Sequence, residues 1–141
     1  YKFTSSGLIG DDELDTIFSC EYTKDSDVGT YVITPTDCTF TSDVKNNYNI
    51  EYVNGTLSVY GSSYNKASKT VKIYSNHDTD VDCYVVSYAE NGTLDGIKKE
   101  HCSLKADEIS TIDISSLNIA ENDSIKIFLW DNNLTPVEIT N

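Results

Sequence analysis

The chain has 141 residues with 23 acidic and ten basic side chains, and every basic residue is lysine. The net charge of −13 disfavours nucleic acid and anionic membrane surfaces as partners, because both attract clustered basic residues. No apolar run approaches the roughly 18 residues of a membrane-spanning helix, so membrane insertion is not expected. No signal peptide is visible and the sequence begins with Tyr1, so we expect a piece of a longer parent chain whose neighbouring domains are its partners.

In the first 60 residues, period-2 alternation of β-forming residues predicts strands. Residues 31–34 form one such run. Residues 48–53 form another, with Tyr48, Ile50 and Tyr52 on one face. Asn54-Gly55 is typical of a two-residue hairpin turn, so residues 56–59 are expected to return as the partner strand.

The small and polar residues 61–68 are predicted to form a linker. Further strands are predicted at residues 71–74, 81–89, 97–104, 109–114 and 125–130. Asn91-Gly92 is a second hairpin signal. Turns every 8–12 residues are typical of a sandwich or barrel. The fold class is therefore mainly β, with two small modules in tandem at residues 1–60 and 69–141.

Two predicted strands have informative faces. In residues 81–89, the side chains of Val81, Cys83, Val85 and Ser87 point one way and those of Tyr84, Val86 and Tyr88 the other. In residues 125–130 both faces carry large apolar groups, with Lys126, Phe128 and Trp130 together on one of them. This pattern predicts a central strand with one face in the core.

Four cysteines divide evenly between the modules, and we expect two disulfides, Cys20–Cys38 and Cys83–Cys102. The alternative is free, buried thiols that act as small apolar residues. No pair has the C-x₂-C spacing of a zinc site. We expect no metal ion and no cofactor. The run Asp78-Thr79-Asp80-Val81-Asp82 resembles the start of a calcium loop but lacks the glycine and glutamate of an EF-hand, which leaves a weak calcium site of loop carboxylates as an alternative.

Catalysis is not expected. The two histidines, His77 and His101, lie in no nucleophile, metalloprotease or phosphate-binding motif. Ordinary solvated histidines on loops or strands explain them, so we predict that the chain is not an enzyme and has no catalytic residue.

Residues 7–14, 27–34 and 47–59 together resemble the MBG-type repeat of bacterial surface and adhesin-like proteins. The resemblance implies a small, partly β-grasp-like module. Such repeats usually begin with an additional strand containing Tyr-Gly, which would precede Tyr1. The module is therefore expected to be truncated at its N-terminus, with an unpaired sheet edge.

A second resemblance covers residues 68–141. Residues 71–76 and 85–94, together with Phe128-Leu129-Trp130-Asp131 and Pro136, resemble β-sandwich accessory modules of secreted Gram-positive proteins, which include glycoside hydrolases. The resemblance implies an antiparallel sandwich and no catalytic residue.

These observations predict a non-catalytic extracellular stalk, spacer or adhesion region, secreted or associated with the cell wall. The alternative is a carbohydrate-binding accessory module of a secreted glycoside hydrolase, in which Trp130, Tyr84 and Tyr88 stack on sugar rings. A glycan or a host surface protein would then be a partner. A covalent Lys–Asn isopeptide cross-link, as in some pilus-like modules, is a further alternative.

Overall fold

The fold is mainly β, as predicted. A computed structural model describes residues 2–139 of the chain. Its strands are β1 (Leu14–Cys20), β2 (Gly29–Phe40), β3 (Gly55–Val59), β4 (Gly61–Asn65), β5 (Thr70–Tyr74), β6 (Thr79–Tyr88), β7 (Leu94–Leu104), β8 (Ile109–Asp113) and β9 (Ser124–Trp130). The helical structure among these residues is one 3₁₀ turn, Lys45–Asn47. None of the described helices is long and apolar enough to cross a membrane.

The described chain forms two compact units, each made of two separate stretches of the sequence. The first unit comprises the chain up to Lys24 together with Thr30–Leu57. The second, which we call the sandwich unit, comprises Asp25–Gly29 and the chain from Ser58 onward.

The first unit holds a three-stranded sheet in the order β1-β2-β3. β1 and β2 are antiparallel, with Leu14 opposite Phe40, and a bulge between Ile17 and Phe18 shifts their register. Among the described residues of this unit, Cys38 is the buried hydrophobic residue. The β-grasp-like fold implied by the resemblance remains a prediction here, because the described residues form the sheet without an α-helix.

The hairpin predicted at Asn54-Gly55 does not form. Residues 48–53 are irregular, and β3 begins at Gly55 and lies beside β2. The Tyr48 hydroxyl donates to Asp12 and accepts the Ile9 N–H. The alternating residues 48–53 therefore form loop contacts, because none of the described strands pairs with them.

The sandwich unit contains two antiparallel three-stranded sheets, β4-β5-β8 and β7-β6-β9. Both sheets contribute to one hydrophobic core. Its buried members are Val71, Ile73, Val81, Cys83, Val85, Cys102, Leu104, Ile112, Ile114 and Leu117. This arrangement agrees with the predicted antiparallel sandwich.

The segment predicted as a linker contains strand β4. Gly61 pairs with Tyr74 and Asn65 with Thr70, so β4 is an edge strand of the first sheet of the sandwich unit. Residues 66–69 turn the chain into β5, and Lys69 adopts a left-handed φ of 52°. The polar composition that suggested a linker is compatible with an edge strand in which Tyr64 is the side chain that packs against the core.

The five residues Asp25–Gly29 belong to the sandwich unit, and we call them the 25–29 loop. Val28 is only 7% exposed, and its N–H donates to the Ser63 hydroxyl on β4 at 3.2 Å. Gly29 has a φ of 141°, and a Cβ there would lie 3.3 Å from Ile109 Cδ1 on β8. The loop is thus held by an apolar anchor and a close backbone approach.

β6 is the central strand of its sheet, and β9 is at the edge. The prediction that residues 125–130 form a central strand was therefore wrong, although the predicted face pattern of β6 is confirmed by the burial of Val81, Cys83 and Val85. The Asn91-Gly92 turn is present and closes through the Ala89 and Thr93 backbones, with Gly92 at a φ of 82°.

The two expected disulfides are not formed, and all four cysteines are free. Cys20 lies opposite Ile33, whereas Cys38 lies opposite Thr16, so the two thiols are about 13 Å apart along the strands. Cys83 and Cys102 are diagonal neighbours across β6 and β7. Diagonal Cα atoms are about 7–8 Å apart, beyond the span of an unstrained disulfide.

We expect the Cys83 thiol to react far more slowly than Cys20 in the folded protein. Burial raises the pKa of Cys83 to about 12, and the neighbouring Cys102 adds to the shift. Cys20 is half-buried. At mildly alkaline pH, iodoacetamide labelling followed by peptide mass spectrometry should show a rate about 100-fold or more lower at Cys83. Equal rates in the folded protein would contradict this expectation, and unfolding in guanidinium should equalise them.

Candidate functional site

The outward face of the β7-β6-β9 sheet gathers aromatic and charged side chains, and we call it the aromatic face. Its members alternate with the core residues of the same strands. They are Asp82, Tyr84, Val86 and Tyr88 on β6, Ile97, Lys99 and His101 on β7, and Lys126, Phe128 and Trp130 on β9. Val86 is buried among them.

Three aromatic rings form a cluster at one end of this face. Tyr84 and Trp130 have ring centroids 5.1 Å apart at 50°, and Phe128 lies 6.2 Å from Trp130 at 51°. Phe128 is directly opposite Tyr84 in the β6–β9 ladder. Phe128 is 36% exposed, so the cluster presents ring surface to solvent.

Tyr88, the third residue predicted to stack on sugars, lies apart from this cluster. It follows Tyr84 by four positions on β6, a distance of about 13 Å. The Lys126 ammonium lies 5.4 Å from the centre of its ring. The structure therefore brings Tyr84 and Trp130 together and leaves Tyr88 as a separate aromatic group on the same face.

The carboxylate of Asp82 holds the polar side chains of the aromatic face in place. The Asp82 side chain is 13% exposed and pairs with Lys99 at 2.7 Å and His101 at 3.1 Å. Hydrogen bonding from Lys99, and then from His101, lowers the pKa of Asp82, and Asp82 in turn raises the pKa of Lys99. Lys99 also lies 5.4 Å from the Tyr84 ring centre, so the ion pair fixes a cation beside the aromatic cluster.

Sequence reasoning missed the contributions of Lys99 and Asp82. Strand alternation had already placed Phe128 and Lys126 on the face of Trp130, but the pairing of β6 with β9 joins residues distant in sequence, such as Tyr84 with Phe128. That register was the signal needed to connect Tyr84 with Trp130.

The described residues offer no cluster of three His, Cys, Asp or Glu side chains that could hold a metal ion. Asp78, considered for a weak calcium site, accepts hydrogen bonds from Lys105 Nζ at 2.8 Å and from the Ala106 N–H at 2.9 Å. His77 contacts Asn76 Oδ1 at 2.6 Å.

The first unit has an open groove of about 580 Å³. Aromatic pairs line it: Phe3 with Phe18 at 6.1 Å and Phe40 with Tyr48 at 4.9 Å between ring centroids. This concave surface explains why so many apolar side chains of the first unit are half-buried.

Small strand-based units of this kind define the chain as a modular β protein. Residues 1–58 match the family model of the MBG domain (YGX type). The match confirms the predicted MBG-type repeat and indicates a surface-associated repeat module of bacterial proteins. No curated protein and no solved structure matches the chain. The resemblance of residues 68–141 to accessory modules stays a prediction.

Proposed function

We propose that this chain is a non-catalytic extracellular region of a bacterial cell-surface or secreted protein, serving as a stalk, spacer or adhesion module. The match of residues 1–58 to the MBG domain carries this proposal. The repeat leads into the sandwich unit with a single residue, Tyr60, between β3 and β4. A distributed negative charge supports solubility in an exposed protein.

The test is removal of this region from its parent protein. Deletion should reduce adhesion of the cells or antibody access to a neighbouring domain, while that domain keeps its own activity. A full-length parent in which Ile73→Ala and Val85→Ala unfold the sandwich core is the matched control, because it keeps the chain length. Loss of chemistry in a neighbour that remains folded would count against the proposal.

A second candidate function, carbohydrate binding, is favoured by the aromatic face. Tyr84, Phe128 and Trp130 offer adjacent ring surfaces on which the C–H faces of sugar rings can pack. Asp82 and Lys99 beside them supply an acceptor and a donor for sugar hydroxyls.

We expect Trp130→Ala and Tyr84→Ala to weaken glycan binding about tenfold or more, because each removes ring surface from the cluster. Tyr88→Ala should have a smaller effect, because Tyr88 lies outside the cluster. A glycan array with purified protein measures this, with near-ultraviolet circular dichroism to check folding. Tyr22→Ala, in an aromatic pair of the first unit, is the control that should retain binding. A wild-type signal no higher than that of Trp130→Ala would exclude this function.

A further inference from the structure

A second side-chain cluster lies where the 25–29 loop meets the β4-β5-β8 sheet. Asp27 Oδ2 accepts hydrogen bonds from Lys72 Nζ at 2.8 Å and from Asn65 Nδ2 at 3.5 Å. Asp27 Oδ1 accepts the Ser63 hydroxyl at 3.2 Å. One carboxylate oxygen therefore contacts both an amine and a carboxamide, the two groups that can condense to an amide.

The strand register explains why these groups meet. Ser63 lies opposite Lys72 and Asn65 lies opposite Thr70 in the β4–β5 ladder. Asn65 and Lys72 are thus diagonal neighbours on one face of the hairpin, within reach of a long side chain. The loop that supplies Asp27 is anchored at Val28, whose side chain is buried.

The Asn65 carboxamide is also polarised by the hairpin turn. Its Oδ1 accepts the Ser68 backbone N–H at 3.1 Å. A donor at this oxygen stabilises negative charge that develops there when a nucleophile attacks the carbon. Nucleophile, electrophile, proton-accepting carboxylate and oxyanion donor are therefore present in one cluster.

We propose that Lys72 and Asn65 form an intramolecular amide cross-link, with Asp27 as the proton shuttle. Asp27 takes a proton from the Lys72 ammonium, and the free amine attacks Cγ of Asn65 to form the new C–N bond. The Ser68 N–H stabilises the resulting oxyanion. Asp27 then returns this proton to Nδ2, the C–Nδ2 bond breaks and ammonia leaves, while Asp27 accepts the second proton of the attacking nitrogen and passes it to the departing ammonia. One ammonium and one carboxamide become one secondary amide and one ammonium ion, without oxidation or reduction.

The surroundings of the cluster set the pace of this reaction. The side chains of Lys72 and Asp27 are 34% and 24% exposed, so water stabilises the charged pair and the neutral amine is a minor species. The cross-link should therefore accumulate slowly after folding, and faster at alkaline pH, where more of the lysine is deprotonated.

The bond would clamp β4 to β5. β4 is the first strand that lies wholly in the sandwich unit and is an edge strand of its sheet, where its backbone pairs with β5. A covalent clamp there would resist peeling under tension. This load-bearing role rests on the proposed stalk function, whereas the bond itself does not.

Intact mass spectrometry of the reduced, full chain tests the cross-link. After incubation at about pH 9, we expect a species lighter by about 17 Da, the mass of one ammonia. A protease digest should yield a branched peptide that joins Asn65 to Lys72. A mass that stays equal to the sequence mass would overturn the proposal and leave the surface function untouched.

Asparagine–glycine pairs require a separate check. Asn54-Gly55 and Asn91-Gly92 can also lose ammonia by closing to a succinimide. Hydroxylamine cleaves a succinimide and leaves an amide cross-link intact. A lighter species that hydroxylamine removes would therefore overturn the proposal.

The variants assign each role. Lys72→Arg keeps the positive charge but lacks a nucleophilic amine, so it should abolish the mass loss, as should Asn65→Ala. Lys105→Arg, in the exposed ion pair with Asp78, is the matched control and should retain the mass loss. Persistence of the lighter species in Lys72→Arg would overturn the assignment. Undiminished formation in Asp27→Asn would overturn the shuttle role.

Discussion

Replacing Ile73 with alanine should lower the free energy of unfolding of the sandwich unit by about 2–5 kcal/mol. Ile73 is 0% exposed and lies on β5, the central strand of its sheet. The substitution removes buried carbon atoms and leaves a cavity, because the facing residues belong to two sheets whose backbones are held by hydrogen bonds. A loss of this size is a large part of the stability of a small domain.

Trp130 provides the measurement, because it is the one tryptophan of the chain and belongs to the sandwich unit. Its fluorescence during urea unfolding reports that unit and avoids averaging over two units that need not unfold together. Ile97→Ala is the matched control. Ile97 is 58% exposed on β7, so its loss should cost less than about 0.5 kcal/mol. Equal shifts of the two urea midpoints would contradict the assigned core.

The strands of the sandwich were predictable because each has one face in the core and one in solvent. Apolar residues therefore recur at every second position of such a strand. In β6, Val81, Cys83 and Val85 show this alternation most clearly. The same signal located β5, β7, β8 and β9 to within a few residues.

Strands without a strong apolar face were not predictable in this way. In β4, Tyr64 is the side chain that packs against the core, and the remaining residues are glycine, serine and asparagine. In β1 the apolar Ile17 precedes a bulge and lies on the exposed face. Apolar residues therefore occupy both faces of this strand, and the sequence shows no clear apolar alternation. The opposite error occurred at residues 48–53, where the alternation is clear but no strand in the described part of the chain pairs with these residues.

The candidate sites were predictable only where their residues lie on one strand. Alternation within one strand placed Phe128 with Trp130, since both lie on β9. The approach of Tyr84 to Trp130 depends on a pairing between strands distant in sequence. The cluster of Asp27, Asn65 and Lys72 depends in addition on the path of the 25–29 loop, for which the sequence carries no periodic signal.

A fragment that begins at residue 58 should be less stable than the sandwich unit in the full chain, by about 2 kcal/mol. The fragment lacks the 25–29 loop and therefore the buried Val28, which lies near Gly61 on β4, and Gly29, which lies near Ile109 on β8. Loss of the loop therefore exposes part of the β4-β5-β8 sheet. The fragment also lacks Asp27, the ion-pair partner of Lys72. This pair is partly exposed, so it contributes less than about 1 kcal/mol to the free energy of unfolding. Urea unfolding followed by Trp130 fluorescence compares the two proteins.

Val28→Ala in the full chain separates the loop from the rest of the MBG repeat. It should reproduce more than half of the loss while keeping every other residue. Ile17→Ala, at an exposed position of the first unit, should leave the Trp130 transition unchanged. A fragment with the same urea midpoint as the full chain would show that the loop contributes nothing to the sandwich, and the boundary would then lie after β3.

The pH dependence of the stability difference between the full chain and the fragment identifies the contribution of the Asp27–Lys72 ion pair. The hydrogen bond from Lys72 is the largest cause that lowers the pKa of Asp27 below its ordinary value of 3.8. A carboxylate whose pKa is lower in the folded state adds stability at pH values above its unfolded pKa, and this stability disappears as the pH falls through the folded pKa. The full chain should therefore lose part of its advantage over the fragment below about pH 4. The remainder, which comes from burial of Val28, should persist, because an apolar contact does not titrate.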